Sequence, residues 1–227
     1  TREALLSQLK TQSKLDSHYV MLVFLSTIVA AIGLIENNVA VIIGAMVIAP
    51  LLGPNLALSL STTLGQVNGI LGGLKTLAVG IALALGISYL LGLFYPGIEL
   101  TPELLTRTSV GLDGLALALA SGAAAALSIT TGVSSVLVGV MVAVALLPPT
   151  VTLGICLGLE LYKEALGAAL LLIANIASVN LTAQLTMRLK GIKPREADKQ
   201  HTALIVFAIG LLFWCALISY LIYQLYK

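Results

Sequence analysis

The sequence predicts an all-α integral membrane protein of about seven transmembrane helices. They form two inverted three-helix repeats with proline-broken second helices, plus one extra C-terminal helix. Three observations predict this class. Hydrophobic residues make up 59% of the 227 and charged residues only 10%, far too little charge to cover a soluble domain. The apolar residues fall into runs of about 18 or more, the length that crosses the hydrocarbon core of a bilayer. One stretch is also written twice: Gly44-Ala45-Met46-Val47-Ile48-Ala49-Pro50-Leu51-Leu52-Gly53-Pro54-Asn55 recurs 95 positions later, from Gly139 to Thr150. The Gly, Met, Val, Leu-Leu and final Pro stand in register without a gap.

Residues 1–17 come first and carry Leu5, Leu6 and Leu9 against Lys10 and Lys14. This weak amphipathic pattern reads either as a short interfacial helix or as a solvated linker. The chain opens on Thr1, so further sequence upstream is expected. Spans follow at 18–35, 39–62, 70–94, 113–131, 133–159, 165–189 and 202–226. Only Glu36, Asn37 and Asn38 separate the first two, which demands a tight turn. Span 113–131 is largely Ala, Gly and Leu and is expected in the bundle interior, where small residues let backbones approach. Gly69-x-x-x-Gly73, Ser88-x-x-x-Gly92, Ala118-x-x-x-Gly122 and Gly154-x-x-x-Gly158 point to helix packing first and oligomerisation second. Cys156 and Cys215 lie in separate apolar runs and read as buried apolar side chains, with no disulfide or metal.

Positive charge orients the set. Arg2, Lys10 and Lys14 precede the first span, and Arg188, Lys190, Lys193, Arg195 and Lys199 gather after the sixth. Arg107 stands alone after the third, among Glu99, Glu103 and Asp113. The positive-inside bias therefore puts the N-terminus and a basic 190–201 loop in the cytoplasm and the 95–112 connection outside. The net charge of +2 gives no ground for nucleic acid as a partner. Each repeat, 18–94 and 113–189, has an odd number of spans, so the second runs opposite to the first. The seventh span, in 202–227, lies outside the repeat.

Candidate site residues come from the breaks. Pro50 and Pro54 in one half, and Pro148 and Pro149 in the other, deprive their helices of backbone hydrogen bonds. The freed helix ends bind ions and charged solute groups in discontinuous membrane helices. Asn55 and Thr150 follow the two breaks at equivalent positions, with Ser59 nearby. A kink repaired by neighbouring side chains is the alternative. Asn175, Asn180 and Gln184 on span six must face protein or water, as solute ligands or as interhelical hydrogen bonds. Glu36, Asn38, Arg107 and Asp113 fall on the outer side and outline an entry vestibule, with Arg107 and Asp113 as a pair at the mouth of span four. Titratable residues are missing from the span centres, which disfavours proton coupling.

Several of these residues together resemble a known family. Asn38-x-x-Val41-Ile42-Ile43-Gly44-Ala45-Met46-x-Ile48-Ala49-Pro50-Leu51-x-x-Pro54 is similar to the signature of a prokaryotic membrane family catalogued as domain of unknown function 389. Arg107-Thr108, Asp113, the run from Gly122 to Ala126, Ala145-Leu146-Leu147-Pro148-Pro149, and the helix bearing Asn175 and Asn180 extend the resemblance over spans one to six. Ser109-Val110-Gly111 stands where that family carries a proline. The resemblance implies a membrane fold and a prokaryotic inner membrane, and it implies no activity.

Two functions remain open on these grounds. The first is a channel or secondary transporter for an inorganic ion or small polar solute, bound at the broken helices near the bilayer midplane. The second is a membrane scaffold, a homo-oligomeric anchor for an upstream soluble segment. An enzyme is not expected, since nucleophile, base and metal-ligand patterns are missing, and no cofactor is implied. The expected partners are the lipid bilayer, a small solute and further copies of the chain.

Overall fold

The structure, a computed structural model, describes residues 13–95, 97–131, 135–194 and 197–225. The helices run α1 (Ser17–Ile35), α2 (Val39–Ile48), α3 (Leu52–Thr63), α4 (Val67–Phe94), α5 (Pro102–Thr106), α6 (Leu112–Thr131), α7 (Ser135–Gly158), α8 (Tyr162–Leu189) and α9 (Ala197–Leu225). Among the described residues there is no strand. Five helices are long and apolar enough to cross a membrane, six if α2 and α3 count as one bent span, and Ala145–Gly158 of α7 adds a shorter apolar stretch. The chain is an all-α membrane protein. Of the segment read as interfacial, 1–12 lies outside the described residues. At its end Asp16 caps α1, its Oδ1 accepting from Tyr19 N at 2.9 Å.

The expected tight turn forms between α1 and α2. Glu36 closes α1, Asn37 takes φ 54°, and Asn38 Oδ1 caps α2 by accepting from Val41 N at 3.2 Å. The turn docks on the short helix α5. Thr101 Oγ1 donates to Leu34 O at 2.6 Å, and Glu103 N donates to Asn37 Oδ1 at 3.1 Å.

Small residues set the packing. α4 lies across α7, α6 and α7 pack on α8, and α3 is wedged between α4 and α8. A Cβ on Gly158 would lie 2.4 Å from Tyr89 O, and one on Gly92 2.5 Å from Ile155 O. A Cβ on Gly122 would lie 2.4 Å from Val179 O, and one on Gly73 2.9 Å from Leu58 N. All four small-residue motifs therefore serve close approach within this chain. Span 113–131, expected in the interior, is only half covered. Gly122 and Ala118 face protein, but Leu112, Leu117 and Leu127 are exposed, because one stripe of small residues buries one face. Cys215, expected to be buried, is exposed on α9 beside Leu212 and Phe213, whose apolar face has lipid as its solvent.

The two proline elements do not behave alike. α2 and α3 meet at a 55° bend, with Pro50 in the gap between them. Pro54 sits in the first turn of α3, where a missing N–H costs nothing. α7, by contrast, continues unbroken through Pro148 and Pro149, which corrects the expected second break. The repeat itself supplies one reason: the position equivalent to Pro50 is Ala145, so the residue that opens the first helix has no counterpart in the second. The other reason is a repair. Pro149 cannot donate to the Ala145 carbonyl, and Asn175 Nδ2 donates to it instead at 2.8 Å.

Candidate functional site

The sequence-predicted residues assemble into two groups, both resting on α8. The first lies where α3 crosses it. Every residue of α3 is buried, an unusual condition for a segment carrying Asn55, Ser59, Ser61, Thr62 and Thr63. Asn180 satisfies much of that polarity. Its Nδ2 donates to Asn55 Oδ1 and, at 2.9 Å, to Ile176 O. Ser59 Oγ donates to Asn180 Oδ1 at 2.7 Å. Three side chains from two halves of the sequence thus form one network with no solvent exposure. One donor in it, Asn55 Nδ2, has no partner among the described residues.

The hydroxyls around this network bond back to their own helices. Thr62 Oγ1 donates to Leu58 O and Thr63 Oγ1 to Ser59 O, both at 2.9 Å. In α7, Thr150 Oγ1 donates to Leu146 O at 2.7 Å. Thr150, expected to mirror Asn55 as a ligand, is in this way a helix-internal bond, and it is not joined to the network. One turn further along α8, buried Gln184 has no partner for either amide atom among the described residues.

The second group surrounds a cavity of about 700 Å³ between α6, α7 and α8. Arg107 and Asp113 stand at its exposed end, and Ser121, Pro149 and Asn175 lie deeper. Down α6 the lining residues Asp113, Leu117 and Ser121 recur at fourth positions, one face of a helix. From Asp113 to Ser121 that face descends about 12 Å at 1.5 Å per residue. Asn175 is 6% exposed and stands halfway along α8. Its Nδ2 is held by Ala145 O, which turns Oδ1 away, and Oδ1 has no partner.

The expected vestibule is smaller than the sequence reading. Arg107 and Asp113 both line the cavity, yet Arg107 pairs with Glu103 and not with Asp113. Its Nη2 lies 3.0 Å from Glu103 Oε2, one turn back on the same segment. Arg107 Nη1 donates to Thr106 Oγ1 at 2.9 Å. Glu36 and Asn38 do not line the cavity: the first is exposed at the end of α1, and the second caps α2. The turn that carries them is tied to Thr101 and to Glu103 of α5. Sequence reasoning missed Ser121. Its signal is the fourfold spacing from Asp113, which becomes meaningful only when α7 and α8 close the other walls.

The chain is similar to known proteins at the level of family. The family model described as Domain of unknown function (DUF389) matches residues 46–181. That stretch takes in both proline elements, the connection at the cavity mouth and the amides of α8. An uncharacterized protein of Methanocaldococcus jannaschii is 33% identical over 216 residues, which cover 95% of this chain and 68% of that relative. No solved structure matches the chain. With the helix bend, the cavity walls and the Asn55–Asn180 network all inside the matched stretch, the chain belongs to the family of Domain of unknown function 389.

Proposed function

We propose that this chain is a membrane permeation protein, a channel or secondary transporter for an inorganic ion or small polar solute. The observation that carries the reading is the cavity that leads from the charged connection to Asn175. Half of the 28-residue α8 measures about 21 Å at 1.5 Å per residue, which reaches past the middle of a hydrocarbon core about 30 Å thick. A polar-ended cavity at that depth is where transport-type proteins bind their solutes. Asn180 follows Asn175 by five positions, so the α3 network lies further along the same helix. Its amides are bonded to one another, and the route is closed there in this conformation.

The reading includes seven crossings in two inverted repeats, placed in a prokaryotic inner membrane with the N-terminus and the 190–201 loop cytoplasmic. Helix pairing supports it: α3 packs on α8, and its counterpart pair, α7 on α4, packs likewise. A finer match lies in single residues. Ser59 bonds Asn180. Moving each partner by 95 positions into the other half gives Gly154 and Leu85, and a Cβ on Gly154 would lie 2.8 Å from Leu85 O. The small-residue motifs are occupied within the chain and lend no weight to an oligomer.

The test is reconstitution in proteoliposomes with flux measured for alkali cations, ammonium, halides, nitrate and small polyols. A selective flux absent from empty vesicles is expected, and Asn55→Ala is expected to change its rate about tenfold by unbalancing the buried network. Vesicles that pass none of these solutes would end the reading. Unaltered flux and selectivity in Asn55→Ala would take the α3 network out of the route.

A further inference from the structure

We infer that the floor of the cavity is a binding site for a small monovalent cation, held by Asn175 Oδ1 and Ser121 Oγ with Asp113 at the mouth. The inference deepens the permeation reading by naming its solute class, and it takes from that reading only the cavity as the way in.

The argument turns on which atoms have hydrogens left to give. Asn175 presents its amide in one sense only, because the Ala145 carbonyl takes the Nδ2 side at 2.8 Å. What remains is a carbonyl-type oxygen without a partner among the described residues, on a side chain that lines the cavity and is more than nine-tenths buried; the oxygen itself is occluded, and a small turn of the side chain admits the ion. Ser121 is 1% exposed, and its proton is taken by Leu117 O at 2.7 Å. It can offer only lone pairs to the cavity. Pro149, also deep in the cavity, has no N–H to contribute, and the other buried lining side chains, Ala118, Ala145 and Leu171, are apolar. The floor therefore offers acceptors, a surface that anions avoid and cations or hydrogen-bond donors seek.

Charge at the mouth has the same sign of preference. Arg107 is engaged by Glu103 Oε2 and Thr106 Oγ1, whereas Asp113 lines the cavity and makes no ion pair among the described residues. These three ionisable groups sum to one negative charge. Volume limits the mode of binding. About 700 Å³ is far more than a bare ion fills, so the cation keeps part of its hydration and exchanges only some water for Asn175 and Ser121. An alkali ion and ammonium share this chemistry, and ammonium alone adds directed donors.

The test is the melting temperature of the purified full chain in sodium, potassium and ammonium chloride, each against choline chloride at constant ionic strength. A second series holds the cation fixed and exchanges chloride for nitrate or gluconate. The expected result is a saturable rise with at least one small cation and no dependence on the anion. A response to ammonium alone would assign the donor cation, and a response to sodium or potassium the alkali ion. Ser121→Ala keeps its helix intact and is expected to weaken the apparent Kd about tenfold, with Asp113→Asn weakening it by about threefold. A shift that follows the anion, a shift equal in both variants, or no shift with any cation would overturn the inference. Anion flux in vesicles without a cation response leaves permeation standing and removes this site. A cation response with no flux of any solute does the reverse.

Discussion

Pro148 and Pro149 leave two carbonyls of α7 without their intrahelical donors, and hydrocarbon supplies no substitute. Asn175 answers for one of them. Asn175→Ala is expected to cost about 1–3 kcal/mol, the range for stranding a buried acceptor. In a Pro149→Ala background the restored N–H reaches Ala145 O, and the same substitution is expected to cost much less. Denaturant titration of the four proteins reads the difference, and equal costs would disprove the repair. At the α3 crossing, a double-mutant cycle of Ser59→Ala with Asn180→Ala is expected to give a coupling of about 0.6 kcal/mol and not above ~1.7 kcal/mol. Zero coupling would mean that their 2.7 Å bond is replaced as soon as it is lost. Sequence reading marked Asn175 and Asn180 as amides that must pair, but it did not give the partners. Those lie 30 and 125 positions away, and one is a backbone carbonyl, which no residue type announces.

Single helices were the more legible scale. Apolar run length gave the long helices, and the three residues between 35 and 39 gave the turn. The misreading concerned symmetry: two similar proline elements were expected to break alike. They differ because Pro50 has Ala145 as its counterpart, and because Pro54 opens a helix whereas Pro149 lies inside one. Small-residue motifs were read correctly as packing devices, and they make a prediction about their helices. Gly158→Ala would drive a methyl to 2.4 Å from Tyr89 O and 2.6 Å from Leu93 N, both backbone atoms of α4. It is expected to destabilise by about 1–3 kcal/mol. Gly86→Ala, on the same pair of helices, meets nothing within 4 Å and is expected to stabilise by about 0.5–1 kcal/mol. Melting temperatures moving in the same direction for both variants would show that α4 and α7 are not held by close approach.

For the whole molecule, composition alone announced membrane and helix, whereas the cavity was invisible. Its walls come from α6, α7 and α8, and no periodicity within one helix reports the face of another. The inverted arrangement has its own test. With Cys156 and Cys215 replaced by Ala, Glu36→Cys is expected to react with an impermeant maleimide from outside intact cells. Lys190→Cys is expected to react only after permeabilisation. Both positions are exposed, so access reports sidedness and not burial. Labelling of both from the same side would require an even number of crossings between them and would undo the inversion.

The unbroken proline pair of α7 has one more consequence. Pro149 brings no polar side chain to the cavity, yet it decides how the amide opposite is turned. Had residue 149 an N–H of its own, the Ala145 carbonyl would no longer compel Asn175 to point its nitrogen there. The side chain would be free to rotate and show either end. On the proposed cation site, a Pro149→Ala protein would then be expected to discriminate less between donors and acceptors, with Asn175 and Ser121 both unchanged. The selectivity of the cavity would thus be inherited through a missing hydrogen.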